Sequence, residues 1–171
     1  MACPARCALQ ELVLRFPTVS MKQARNRKVH IEDLFGDPLV ETDDGVSLYM
    51  LAAEVSSDFP GTDALSEFGN GLTIAEELDD LRDDLQKLEE GWVPDADDLQ
   101  NAPALEEWGL LNVGEALPRI VGRWINGSLA GTAIRDGQQM STLQILATDK
   151  YFAWARDRRG FYRLGTPAQP H

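Results

Sequence analysis

Residues 73–94 read TIAEELDDLRDDLQKLEEGWVP. Thr73 followed by Glu76 has the spacing of a capping box, in which the Thr oxygen accepts an orphan amide and the Glu carboxylate reaches back. Ile74, Leu78, Leu81, Leu85 and Leu88 step by 4, 3, 4 and 3. At about 100° per residue they stay within a stripe about 80° wide. Glu76, Asp79, Asp80, Asp83, Asp84 and Glu90 supply an acidic face. Gly91 suits the left-handed position past a helix end, and Pro94 forbids continuation. The spacing predicts a helix over 73–90. Its stripe either lies on the chain's own core or forms a seam between two copies of the chain. About two and a half heptads falls short of the three to four that argue for a coiled coil.

The charge is divided unevenly around this helix. Residues 32–107 hold 23 Asp or Glu and only two bases, Arg82 and Lys87, a local net of −21. Residues 1–31 carry a net of +5 and residues 108–171 a net of +4, within a total of −12. Such a layout invites basic partners, or the chain's own basic end, onto the acidic middle.

With 171 residues and 43% hydrophobic content, the chain suits one compact domain, or a small helical part plus a small β part. No apolar run approaches the roughly 18 residues of a membrane span. The opening MACPARCALQELVLRF is interrupted by Arg6, Gln10, Glu11 and Arg15, which breaks a signal-peptide core and places the protein in the cytoplasm. Cys3 and Cys7 lie far in sequence from His30 and His171, so idle reduced thiols are expected, with no metal and no cofactor. Met21 precedes the basic stretch KQARNRK and offers a second translation start, which would make residues 1–20 an upstream extension. Otherwise Leu9, Leu12, Val13 and Phe16 form a short amphipathic helix.

Residues 46–55, VSLYMLAAEV, read as helix because Leu48, Leu51, Ala52 and Val55 share a face. Residues 56–71 read as a loop or linker, and 95–101 and 103–108 as short helical turns punctuated by Pro94 and Pro103. Trp92 and Trp108 read as packing residues. From 117 the grammar changes. Strands are expected at 119–125, 131–135, 138–147, 151–156 and 161–164. They are joined by turns at Asn126-Gly127, Asp136-Gly137 and Asp157-Arg158-Arg159-Gly160. The expected fold class is α+β: an acidic helical N-terminal half, then a small antiparallel sheet or partial barrel. The divisions are a poorly defined region at 1–71, the acidic helix with its turns at 72–110, the β module at 111–165 and a tail at 166–171.

The run from 75 to 165 resembles a family of small uncharacterised proteins, a domain of unknown function common in rhizobia and other α-proteobacteria. The residues that carry the resemblance are Gly91, Trp92 and Pro94; Asp98 and Leu99; Ala102, Pro103, Leu105 and Trp108; Asp136 and Gly137; Thr142 and Leu143; and Tyr162, Arg163, Leu164 and Gly165. The chain departs from the pattern in two places. It has Asn126-Gly127-Ser128 in place of a Gly-His-Pro turn, and Arg156-Asp157-Arg158-Arg159-Gly160 in place of an Arg-Thr-Leu-Ser-Arg segment. The resemblance implies a bacterial origin and transfers no activity.

Enzyme signatures are missing. Ser128 follows Gly127, but the G-x-S-x-G elbow is broken by Asn126; there is no G-x-x-x-x-G-K loop and no H-E-x-x-H pair. Asp95, Asp97 and Asp98 mimic the start of a calcium loop, but its required glycine is Gln100. In 150–163, Arg156, Arg158, Arg159 and Arg163 alternate with Trp154, Tyr162 and other aromatics. This pattern suits phosphate and base contacts, contact with a protein or with the acidic helix itself, or a half-buried hairpin with its arginines outward. The net charge disfavours nucleic acid. These features point to a non-enzymatic protein-interaction or regulatory module. The alternatives are a DNA mimic, whose helix carboxylates imitate phosphates, and an enzyme of unknown class.

Overall fold

A computed structural model describes residues 35–67, 71–111, 117–126 and 135–169. Among these residues, eight strands form one mixed sheet, and one long helix packs on it. The strands are β1 (Val40–Glu41), β2 (Val46–Leu48), β3 (Ala104–Leu111), β4 (Arg119–Trp124), β5 (Gln139–Gln144), β6 (Ala147–Asp149), β7 (Trp154–Asp157) and β8 (Gly160–Leu164). Their order is β1-β2-β6-β7-β8-β3-β4-β5. All pairs are antiparallel except β3 with β8.

The sheet closes on itself between two consecutive residues. The Ile145 amide donates to Pro118 on the β4 side (3.0 Å), and the Leu146 amide donates to Arg156 on the β7 side (2.8 Å). β5 and β6 are therefore one bent strand that hands its pairing from β4 to β7. The ring β4, β5–β6, β7, β8, β3 is a small barrel, in which β5 pairs with β4 alone and its other edge meets the Asp157 and Arg159 side chains. The β1–β2 hairpin extends the wall beyond β6.

The expected helical N-terminal half is overturned, and two apolar runs account for the error. Val46 and Leu48 are fully buried and Ser47 lies between them. Their alternation has period two, and pairing with both β1 and β6 makes this run a strand. The helical geometry expected there is confined to a 3-10 turn at Ala52–Glu54. Leu105 and Trp108 are both buried although three apart, a helical spacing inside a strand. A bulge causes it: the β3–β4 register shifts between Glu106 and Gly109, with Glu107 left-handed at φ 51°. The extra residue returns Trp108 to the inner face. Gly122 sits opposite, where an added Cβ would lie 3.0 Å from Trp108 Cβ and 3.2 Å from the Glu106 carbonyl oxygen.

Two apolar cores result. Leu105, Trp108, Ile120, Trp124, Ile145 and Tyr162 fill the barrel. Val46, Leu48, Leu81, Leu85, Leu88 and Trp154 pack between its outer wall and α1 (Ile74–Glu89). Leu85 and Leu88 are fully buried, each contributing about 1.5–3 kcal/mol. Thr73 and Glu76 form the expected capping box. The turn at Asp136-Gly137 is present, with Gly137 left-handed at φ 82°. The 9–16 helix, Cys3, Cys7, His30, His171, the Asn126-Gly127-Ser128 turn beyond Asn126 and the 131–134 part of an expected strand lie outside the described residues.

Candidate functional site

The β7–β8 hairpin alternates strictly. Trp154 and Arg156 face α1, whereas Ala155 and Asp157 face the barrel interior. All four are buried. Arg156 sets two nitrogens on Asp84 Oδ2, Nε at 3.1 Å and a terminal nitrogen at 2.9 Å. Its other terminal nitrogen donates to the Asp157 carbonyl, and its guanidinium lies over the Phe161 ring, 5.1 Å from the centroid. Arg158 pairs with Glu77 at 2.9 Å. The other oxygen of that buried carboxylate accepts from the Ser66 hydroxyl at 3.0 Å. Burying ions costs several kcal/mol each, and only additional hydrogen bonds of this kind offset it.

Asp157 organises the turn. It has no exposed surface, yet its carboxylate is saturated. Oδ1 accepts from the amides of Arg159 (2.7 Å) and Gly160 (3.3 Å). Oδ2 accepts from the Leu143 amide (2.8 Å), the Tyr162 hydroxyl (2.9 Å) and the Arg159 guanidinium (3.4 Å). Burial, reinforced by the adjacent Asp157 charge, pushes the Tyr162 phenol well above its ordinary value.

The six residues expected to form a binding surface are thus drawn into the fold. Arg156 and Arg158 hold α1. Arg159 binds Asp157 and the Ser141 carbonyl. Arg163 donates to the Ala102 carbonyl (3.0 Å) and to Asn126 (2.8 Å). Trp154 and Tyr162 are core. Of the leucine stripe, Leu81, Leu85 and Leu88 are buried within this chain, and Ile74 and Leu78 are half-buried.

The acidic face divides in the same way. Asp84 is spent on Arg156, and Asp79 binds Arg82 (2.8 Å) and the Ser57 hydroxyl (2.7 Å). Glu76, Asp80, Asp83 and Glu90 stay exposed. Hydrogen bonds from Thr73 hold the Glu76 carboxyl below its ordinary value. Asp95 and Asp98 cap a single turn: the Asp97 and Asp98 amides donate to Asp95 Oδ1, and the Asp95 amide donates to Asp98.

Sequence reasoning missed two concavities. A cleft of about 570 Å³ at the barrel mouth is lined by Asp37, Glu41, Ser47, Tyr49, Thr148 and Lys150, among others. Burial raises the Tyr49 phenol. A groove of about 510 Å³ runs between the 3-10 segment and α1, with Met50, Phe59, Leu78 and Leu146 as its apolar lining and Arg119 and Arg158 among its polar residues. Both gather residues from distant segments, which no local motif announces. Among the described residues, no cluster of His, Cys, Asp and Glu could hold a metal ion, and no helix is long and apolar enough to cross a membrane. The chain matches no protein-family model, no curated protein and no solved structure.

Proposed function

We propose that this chain is a non-enzymatic protein-interaction module that presents a fixed acidic helix face to a basic partner. One observation carries the reading. The hairpin arginines neutralise Asp84 and Glu77 on the inner side of α1, while Glu76, Asp80 and Asp83 remain exposed along one side of the helix at spacings of four and three residues. Those spacings are about 6 and 4.5 Å along the axis. A regular row of this kind favours a second reading, in which the helix imitates nucleic-acid phosphates in the basic groove of a DNA-binding protein.

The test is affinity capture from the native host with the full-length chain as bait, beside a Glu76→Gln/Asp80→Asn/Asp83→Asn/Glu90→Gln variant. The reading expects a partner that the native chain retains, the variant loses and added salt releases. A partner held equally by both baits would overturn it. Competition by duplex DNA for the captured partner separates the phosphate-mimic reading from ordinary protein contact.

A further inference from the structure

Two strands end the sheet order, β5 and β1. The outer edge of β5 is covered by side chains of the β7–β8 turn: the Leu143 amide donates to Asp157, and Arg159 donates to the Ser141 carbonyl. β1 pairs on one side only, with β2. Leu39 and Val40 on this edge are 57% and 36% exposed. The outer edge of β1 therefore offers backbone groups and apolar side chains to an added strand.

Its surroundings select the charge of that strand. Asp37, Glu41, Asp43 and Asp44 are exposed along the hairpin. The nearby Asp149 carboxylate is already occupied by the amides of Tyr151, Ala153 and Trp154. Asp37 and Glu41 form no ion pair among the described residues, and both line the barrel-mouth cleft with Tyr49. Glu41 is the cross-strand partner of Ser47, so their side chains share a face, and Ser47 also lines the cleft. A side chain placed beside Glu41 by an added strand would sit at the cleft's rim.

We infer that β1 is a docking edge for an extended basic segment of a partner protein, which adds a strand along Val40–Glu41 and sets a lysine or arginine between Glu41 and Asp37 at the cleft. A second copy of this chain fits less well. Two β1 strands paired edge to edge would bring Glu41 and its acidic neighbours against themselves, and facing like charges destabilise a strand pair. The inference goes beyond the proposed role of α1, because it uses a different surface and stands on the sheet edge.

The experiment uses the full-length chain and a fluorescein-labelled octapeptide of alternating lysine and threonine, followed by fluorescence anisotropy at low salt. Saturable binding is expected. It should weaken at least tenfold on Glu41→Lys, and at least tenfold when the peptide is N-methylated along its length. It should change less than twofold in the four-site α1 variant. Thermal melts of each variant confirm folding, since Glu41 is exposed. Four results would each overturn the inference: no binding; equal binding of the N-methylated peptide, which would mean charge attraction without strand addition; loss in the α1 variant but not in Glu41→Lys; or a dimer by light scattering that Glu41→Lys abolishes, which would give the edge to a second copy. The α1 capture experiment can fail while this one succeeds, and the reverse, so the two readings are separable.

Discussion

Replacing Asp157 by Asn changes one oxygen to an amide in a site with no exposed surface. Five donors converge on the native carboxylate: three backbone amides, the Tyr162 hydroxyl and the Arg159 guanidinium. If the new amide takes the Oδ2 position, it points its hydrogens at the Leu143 amide and at Arg159. In the other orientation it faces the amides of Arg159 and Gly160. Either way at least one buried backbone N–H loses its acceptor, at about 1–3 kcal/mol, and the remaining bonds lose their charge assistance. Arg159 also loses its pairing with the Asp157 carboxylate. The expected loss is about 3–5 kcal/mol, a large share of the roughly 5–15 kcal/mol that stabilises a domain. Urea unfolding followed by tryptophan fluorescence reads it, since Trp108, Trp124 and Trp154 are buried. Asp149→Asn is the control. Asp149 also accepts three amides, but it is only half-buried, so its loss should stay near the 0.5–2 kcal/mol typical of a cap. If Asp157→Asn costs no more than Asp149→Asn, or less than about 1 kcal/mol, the buried carboxylate does not organise the hairpin as argued.

The Arg156–Asp84 pair should show coupling of about 1–3 kcal/mol in a double-mutant cycle of Arg156→Met and Asp84→Asn, read by the same unfolding assay; additive single losses would count against it. Gly122→Ala should destabilise by about 1–3 kcal/mol, because the added methyl meets Trp108 Cβ and a backbone oxygen that cannot swing away; a neutral result in a thermal melt would refute the tight bulge packing. The raised Tyr162 phenol gives an alkaline limit. Its contribution is present below the unfolded phenol value of 10.0 and is lost as pH rises above it, because the unfolded chain then releases a proton that the native site retains. Tyr162→Phe should flatten the fall in stability above pH 10, and an unchanged slope would place the alkaline transition elsewhere.

The local parts of this fold were legible and the non-local parts were not. Helix α1 carries its cap, stripe and stop within a single stretch, so its bounds followed from spacing. β3 was misread because the bulge at Glu107 puts Leu105 and Trp108 at helical separation while both point into a barrel. The β2 run was too short for period two to outweigh a chance helical face. No local signal announces that Ala104 and Leu105 pair in parallel with Arg163 and Leu164, or that Ile145 and Leu146 hand the bent strand from β4 to β7. The arginine hairpin was ambiguous for a different reason. Alternating arginines and aromatics have the same composition whether the arginines face water, a ligand or another element. What resolves it is Asp84 and Glu77, about seventy to eighty residues upstream.

The two ion pairs also explain how a leucine-faced helix can hold its acids in one place. An apolar stripe is a permissive track: shifting α1 by one heptad would again lay leucines on Trp154 and Leu48. Asp84 and Glu77 lie seven residues apart, about 10.5 Å along the axis, and meet Arg156 and Arg158 on one short hairpin. A heptad shift that carried Glu77 to Arg156 would leave Arg158 without its carboxylate and Asp84 without its arginine, at the several-kcal/mol cost of stranding partly buried charge. Hydrophobic burial thus supplies most of the attachment, and the arginines supply the register. Fixing that register also fixes Glu76, Asp80 and Asp83 relative to the barrel, so the partner proposed for this face would meet a rigid array of carboxylates and lose less entropy on docking than it would against a sliding helix.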